Sequence, residues 1–371
     1  MSKRQDANNI IAALKQYNRV HKIDIDNIPN SFLIKMPAKM KKPFSALTYL
    51  QLHSAQINAP ALPGSLFSGS APRLQRLSLD GVPFPALPKL LLSTHDLVSL
   101  DLSNIPVSGY MSPEAMVSGL SALTRLKELR LEFRSHRSWA DGENRLVPRV
   151  TRVVLPALTY LYFKGDNKYL EDLVAQIDAP RLTWVQITFF NRLIIDTPLL
   201  RHFISRTEMF NASHRAKVTF MEGKVNVELY LRNGNSFFKT SSLAISCRPS
   251  DWQLSSVAQV CGSALSPLST LVRLEIYITR SWEVDVENAQ WVELLHPFTS
   301  IKDLYLHDES IQHVAPALEQ LAVERVTDVL PTLQNLSLWG PQPSEPVKKA
   351  IGKFVAARQL SGCPVAVHGS P

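Results

Sequence analysis

The chain predicts an α/β fold, a leucine-rich-repeat solenoid in the form of a horseshoe with parallel concave strands and convex helices. Three observations predict it. The pattern Leu-x-x-Leu-x-Leu, with Val, Ile or Phe as substitutes, occurs in ten copies along the 371 residues. Successive copies mostly begin 23 to 32 residues apart, the period of stacked strand, turn and return units. Between the copies lie amphipathic stretches, several with proline in the first turn, as helices prefer.

The first seven copies are Val20/Ile23/Ile25, Leu47/Leu50/Leu52, Leu74/Leu77/Leu79, Leu97/Leu100/Leu102, Leu126/Leu129/Leu131, Leu158/Leu161/Phe163 and Leu182/Val185/Ile187. Three more follow an interval of 89 residues, at Leu271/Leu274/Ile276, Ile301/Leu304/Leu306 and Leu333/Leu336/Leu338. In a strand alternate residues face opposite ways, so each copy reads as one short strand with its apolar side inward. Candidate helices are 85–93, 112–120, 169–177, 198–205, 253–265, 289–295 and 346–360. The whole is read as a single domain, 1–371, with a helical cap over 1–19 and a second cap over 340–371. The polar stretch 134–152 breaks the periodicity and is read as an inserted loop. Residues 196–247 are read as irregular repeats with a hairpin, because Val225, Val227, Leu229 and Leu231 alternate behind Glu222-Gly223. The position that holds Asn or Cys in regular repeats is here Ala55, Val82, Ile105, Arg134, Asp166 or Phe190, so no asparagine ladder is expected.

Composition narrows the class. Hydrophobic residues make up 45% and charged residues 19%, the balance of a folded globular chain. No apolar run approaches the roughly 20 residues that cross a bilayer. The N-terminus lacks the apolar core of a secretory leader, which predicts a cytoplasmic or nuclear protein. Three widely spaced cysteines fit reduced thiols better than a disulfide framework. The net charge is +8, and residues 1–50 hold nine Lys or Arg against three Asp.

Catalytic patterns are missing. Gly64 and Gly69 have the spacing of a phosphate loop, but Ser70-Ala71 stands where Lys and Ser or Thr would hold phosphate and magnesium. No histidine or cysteine pair has the spacing of a metal site. His53 and His307 fall on predicted strands and read as solvent-facing side chains. The expectation is no enzyme, no cofactor and no metal.

Pro72 to Gln75, Gly81 to Ser93, Ser108 to Met116, Tyr169 to Pro180, Asp251 to Leu254 and Gly352 to Gly362 together resemble a large group of fungal F-box-associated leucine-rich-repeat proteins. That resemblance implies a substrate-recognition part related to F-box subunits of cullin-RING ubiquitin ligases, in which the repeats present a substrate. The Leu-Pro start and apolar helices of an F-box itself are not found ahead of Ile10. The Skp-type adaptor is therefore not expected as a partner.

The predicted function is a non-enzymatic protein–protein interaction module, with a protein partner and no membrane. The alternative is a basic protein associated with nucleic acid. Taking the third, fifth and seventh positions of the ten copies as outward, acidic residues number eight and basic residues five, a poor surface for phosphate. Seven of these thirty positions are Tyr or Trp, against 15 such residues in the whole chain. Exposed aromatic residues often dominate interface energies. The predicted partner-binding residues are Tyr160, Tyr162, Trp184, Arg130, Lys164, Tyr277, Tyr305 and Trp339, with Tyr160, Tyr162 and Trp184 expected on adjacent strands.

Overall fold

Leucines at alternate positions require a strand with one dry face, and the first half of the chain supplies six such strands side by side. In the computed structural model these are β1 (Lys22–Ile25), β2 (Tyr49–His53), β3 (Arg76–Asp80), β4 (Ser99–Ile105), β5 (Glu128–Phe133) and, after a two-residue strand β6 (Val153–Val154), β7 (Tyr160–Gly165). All pair in parallel, each with the next repeat. The register stacks Ile23, Leu50, Leu77, Leu100, Leu129 and Leu161 into one inward row, none more than 4% exposed. The structure describes residues 3–135, 152–190, 197–207, 213–233, 236–245, 250–263, 271–279, 282, 287–307, 309–324, 327–340 and 342–369. The loop read over 134–152 lies mostly outside them.

Parallel neighbours need a return path, and helices provide it. After α1 (Lys3–Leu14) and α2 (Asn30–Lys35) come α3 (Leu87–Leu91), α4 (Pro113–Leu120) and α5 (Asn167–Gln176), followed by the short β8 (Ile177–Asp178), which pairs with β6. The termini follow known rules. Ser112 caps α4 by accepting from the Ala115 N–H at 3.2 Å, with Pro113 at the first helical position. Asp166 caps α5 by accepting from the Lys168 N–H at 2.9 Å. At Gly119 an added Cβ would sit 3.1 Å from the Cα of Pro88, so the absence of a side chain lets α4 lie close on α3.

Backbone bonds join the repeats. The amides of Gln75, Val98 and Lys127 each donate to the equivalent carbonyl one repeat earlier, at Thr48, Gln75 and Val98, all at 2.8 Å. At the far end of the strands Ser54 N–H donates to Asp80 O and Gly81 N–H to Ser103 O. Backbone bonds thus tie these strand ends together, and the Thr48 and Thr159 hydroxyls add bonds to the carbonyls of His21 and Lys127.

By compactness the chain divides into two units, Met1–Leu182 and Thr183–Pro371. The second opens with β9 (Trp184–Phe189) and α6 (Pro198–Ser205). Its next three strands are β10 (Ser213–Met221), β11 (Lys224–Asn233) and β12 (Ser236–Ile245). Here β11 runs antiparallel between β10 and β12, while β12 is parallel to β9 and β10 parallel to β13 (Arg273–Ile278). The turn between β10 and β11 sits at Gly223, whose φ of 66° few other residues tolerate. One reversed strand therefore lies between two that keep the repeat direction. The repeat then resumes through α7 (Ser250–Ser263), β13, α8 (Asn288–Leu295), β14 (Asp303–His307), α9 (Glu309–Glu324), β15 (Asn335–Trp339), α10 (Glu345–Leu360) and β16 (Ala366–Gly369). Strands β13 to β16 are parallel and in register.

A tight core holds this unit. Trp291 is fully buried beside Phe220, ring centroids 5.3 Å apart, and Trp282 donates its indole N–H to Gln253 Oε1 at 2.9 Å. Arg358, also fully buried, donates to the carbonyls of Leu333 at 3.1 Å and Pro331 at 3.3 Å. Among the described residues no helix is long and apolar enough to cross a membrane, and no group of three His, Cys, Asp or Glu is placed to hold a metal.

Candidate functional site

Because the leucines turn inward, the residues between them are presented on the other face of each sheet. In the first unit Arg130 on β5 lies directly beside Tyr162 on β7, with Asp101 on β4 on its other side. The guanidinium carbon is 3.9 Å from the Tyr162 ring centroid, a cation–π contact. Arg130 also donates to Glu132 at 2.7 Å, and Lys164 donates to the other oxygen of that carboxylate at 3.0 Å. Glu132 is only 8% exposed. Its burial works to raise the carboxyl, and the bonds from Arg130 and Lys164 outweigh it, so the group stays below its usual range. Burial raises Asp101, Tyr160 and Tyr162 above their ordinary values, so both phenols remain neutral.

The second unit repeats the arrangement with more rings. Glu275 on β13, 1% exposed, accepts from Arg273 at 2.7 Å and from Arg215 on β10 at 2.5 Å. Arg273 covers the Tyr305 ring at 3.7 Å, Arg215 covers Tyr230 at 4.7 Å, and Lys217 covers Tyr277 at 4.1 Å. The register sets Tyr277, His307 and Trp339 in one lateral row. Tyr277 and His307 stack at 3.8 Å and 13°, and His307 meets Trp339 at 5.9 Å and 36°. Trp339 is 52% exposed, at the open end of the row.

The eight predicted residues therefore fall as follows. Tyr160, Tyr162 and Lys164 stand on β7, Arg130 on β5 and Trp184 at the start of β9, all half-buried. Tyr277 and Tyr305 stand half-buried on β13 and β14, and Trp339 ends β15. The structure brings Arg130 to Tyr162, links Lys164 to Arg130 through Glu132, and joins Tyr277 to Trp339 through His307.

Two expectations are corrected. Glu132 and Glu275 were counted as exposed acids, but each is buried between two cations, because neighbouring repeats place the cations in hydrogen-bonding reach. His307 was read as facing solvent, and it is the middle ring of a stack. Arg215, Lys217 and Tyr230 were missed because β10 and β11 do not carry the repeat pattern. The alternation of β10 would have placed Arg215 and Lys217 on the outward face. Cys261 is buried, which pushes its thiol up to about 12.

No family model and no curated protein matches this chain. Among solved structures it is similar to the leucine-rich repeat-containing protein LegL7 from Legionella pneumophila, at 13% identity over 92% of this chain and 93% of that one, with a TM-score of 0.33. The repeat architecture rests on the register and burial described above and not on that loose superposition.

Proposed function

We propose that this chain is a non-enzymatic protein-interaction module that captures a protein partner on the outward faces of its parallel strands. The observation that carries the reading is the row Tyr277, His307 and Trp339, backed by Lys217 and open at Trp339. Large rings held in one geometry lose little freedom when a partner arrives, which favours binding. Within the second unit Tyr305 and Trp184 are further outward rings, and within the first unit Tyr160, Tyr162, Arg130 and Lys164 give its own outward face the same use.

The nucleic-acid alternative gains no support. Arg130, Lys164, Arg215 and Arg273 already share carboxylates, so phosphate would have to displace Glu132 or Glu275. The finer reading, a substrate-recognition part related to F-box subunits of ubiquitin ligases, is supported by the fungal resemblance of the segments quoted above. On that reading the captured protein is a substrate.

Quantitative affinity capture tests both levels. Proteins enriched by the tagged chain should be lost when Tyr277 and Trp339 are both changed to Ala, with the fold retained by circular dichroism. An unchanged set of captured proteins contradicts the proposal. A ubiquitin-ligase adaptor among those proteins supports the finer reading and overturns the expectation, drawn from the sequence, that the adaptor is not a partner.

A further inference from the structure

We infer that the helix side of the first unit, from α2 to α3, is a docking surface for a bilayer rich in anionic lipid. This goes beyond the proposed capture of a protein and uses the side opposite the strand rings. A contact of this kind needs no spanning helix, and it departs from the expectation of no membrane partner.

The sequence leaves this stretch almost without acids. From Asn27 to His95 there is one, Asp80, against seven Lys or Arg. Asp80 ends β3 on the strand face, where it accepts from Asn104 at 2.7 Å and lies near His53, so it does not neutralise the helix side. On that side Phe32, Leu33 and Met36 turn into the core, which leaves Ile34, Lys35, Ala38 and Lys39 exposed, with Lys41 and Lys42 after them. Lys42 lies over the Tyr17 ring at 4.9 Å. Lys89 on α3 and Leu92 just after it are exposed as well. Elsewhere in this unit Lys22, Arg125, Arg130 and Lys164 each share a carboxylate. Among the described residues no carboxylate pairs with Lys35, Lys39, Lys41, Lys42 or Lys89.

Hydrogen bonds join these repeats into one surface. The Ser68 hydroxyl donates to the Lys41 carbonyl, and the Phe67 N–H donates to the Met40 carbonyl at 2.7 Å. The following repeat is tied in turn, the Ser93 hydroxyl donating to the Gly69 carbonyl at 3.1 Å. The turn at 67–69 thus links the lysines after α2 to the end of α3.

The side-chain chemistry selects the partner. These cations are all lysines, point charges on long stems, whereas a carboxylate held in one geometry by a protein is better matched by the fork of an arginine. A diffuse layer of anionic headgroups needs no fork. Ile34 is 67% exposed beside Lys35, and Leu92 is 48% exposed. Such apolar side chains gain by entering the headgroup region while the lysine heads stay at its surface. Against a nucleic acid they would meet nothing apolar, and no exposed aromatic ring stands among the described residues of this stretch for bases to stack on.

Co-sedimentation of the full chain with vesicles tests this. The chain should sediment with phosphatidylcholine vesicles that hold about 30% phosphatidylserine and stay in solution with phosphatidylcholine alone. Binding should weaken as salt rises, because the contact is screened. A lysine near an anionic surface contributes about fivefold, so Lys39→Glu combined with Lys41→Glu should weaken binding by about 25-fold or more. Ile34→Ser should weaken it severalfold and leave the salt dependence as it was. These positions are exposed, so the variants should melt as the wild type does. A wild-type chain that ignores the anionic vesicles, that binds neutral ones equally, or that is unaffected by the two lysine changes overturns the inference. Poly-glutamate or duplex DNA held more tightly than the vesicles would assign the surface to an acidic protein or a nucleic acid, and overturns it too.

Discussion

Glu275 and Arg273 stand two residues apart on the same strand, yet the Glu275 carboxylate is 1% exposed and accepts from the Arg273 guanidinium at 2.7 Å. The second contact, from Arg215 on a neighbouring strand, completes a buried acid between two partly exposed cations. Removing the acid leaves both guanidinium groups short of an acceptor. The effect lies between an exposed pair, worth roughly 1 kcal/mol or less, and a fully buried one at roughly 3 to 5. Glu275→Ala is expected to destabilise the chain by about 3 kcal/mol in urea unfolding, and Glu275→Gln by less, because the amide oxygen still accepts.

Leu77 lies in the inward row between Leu50 and Leu100. It is 1% exposed, so Leu77→Ala empties part of a stacked core. The expected cost is about 2 to 5 kcal/mol, read as a lower urea midpoint with an unchanged slope.

The Glu132 carboxyl is held below the ordinary value of 4.5 because its bonds from Arg130 and Lys164 outweigh burial. Ionised Glu132 therefore favours the folded state. That contribution is fully present above the unfolded value and is lost as pH falls through the lower folded one. The stability difference between the wild type and Glu132→Gln should be largest near pH 7 and should shrink below about pH 4.5, measured by urea unfolding at each pH. A difference that grows in acid would reverse the sign.

Cations already paired to carboxylates bind phosphate poorly. Fluorescence titration with duplex DNA at physiological salt should give a dissociation constant of about 1 µM or weaker, steeply dependent on salt.

The parallel strands were legible in the sequence because each repeat states its own alternation, and lateral register then places Arg130 beside Tyr162. The helix over Glu309–Glu324 was not, since Pro316 in its interior reads as a breaker. The three strands from Ser213 to Ile245 were legible only as an alternation behind a glycine turn, because their pairing is set by distant neighbours on β9 and β13. Burial of Glu132 and Glu275 was hidden for the same reason. An acid in an outward position looks solvated until the adjacent repeats supply its cations.

Trp339 is the exposed end of the Tyr277–His307 stack, the ring that a partner meets first. The decisive measurement is the dissociation constant of a captured partner for the wild type and for Trp339→Ala. Loss of an aromatic anchor, worth roughly 2 kcal/mol, predicts binding about 30-fold weaker at unchanged melting temperature. Equal affinity in the two proteins would contradict the claim that this face of the strands binds the partner.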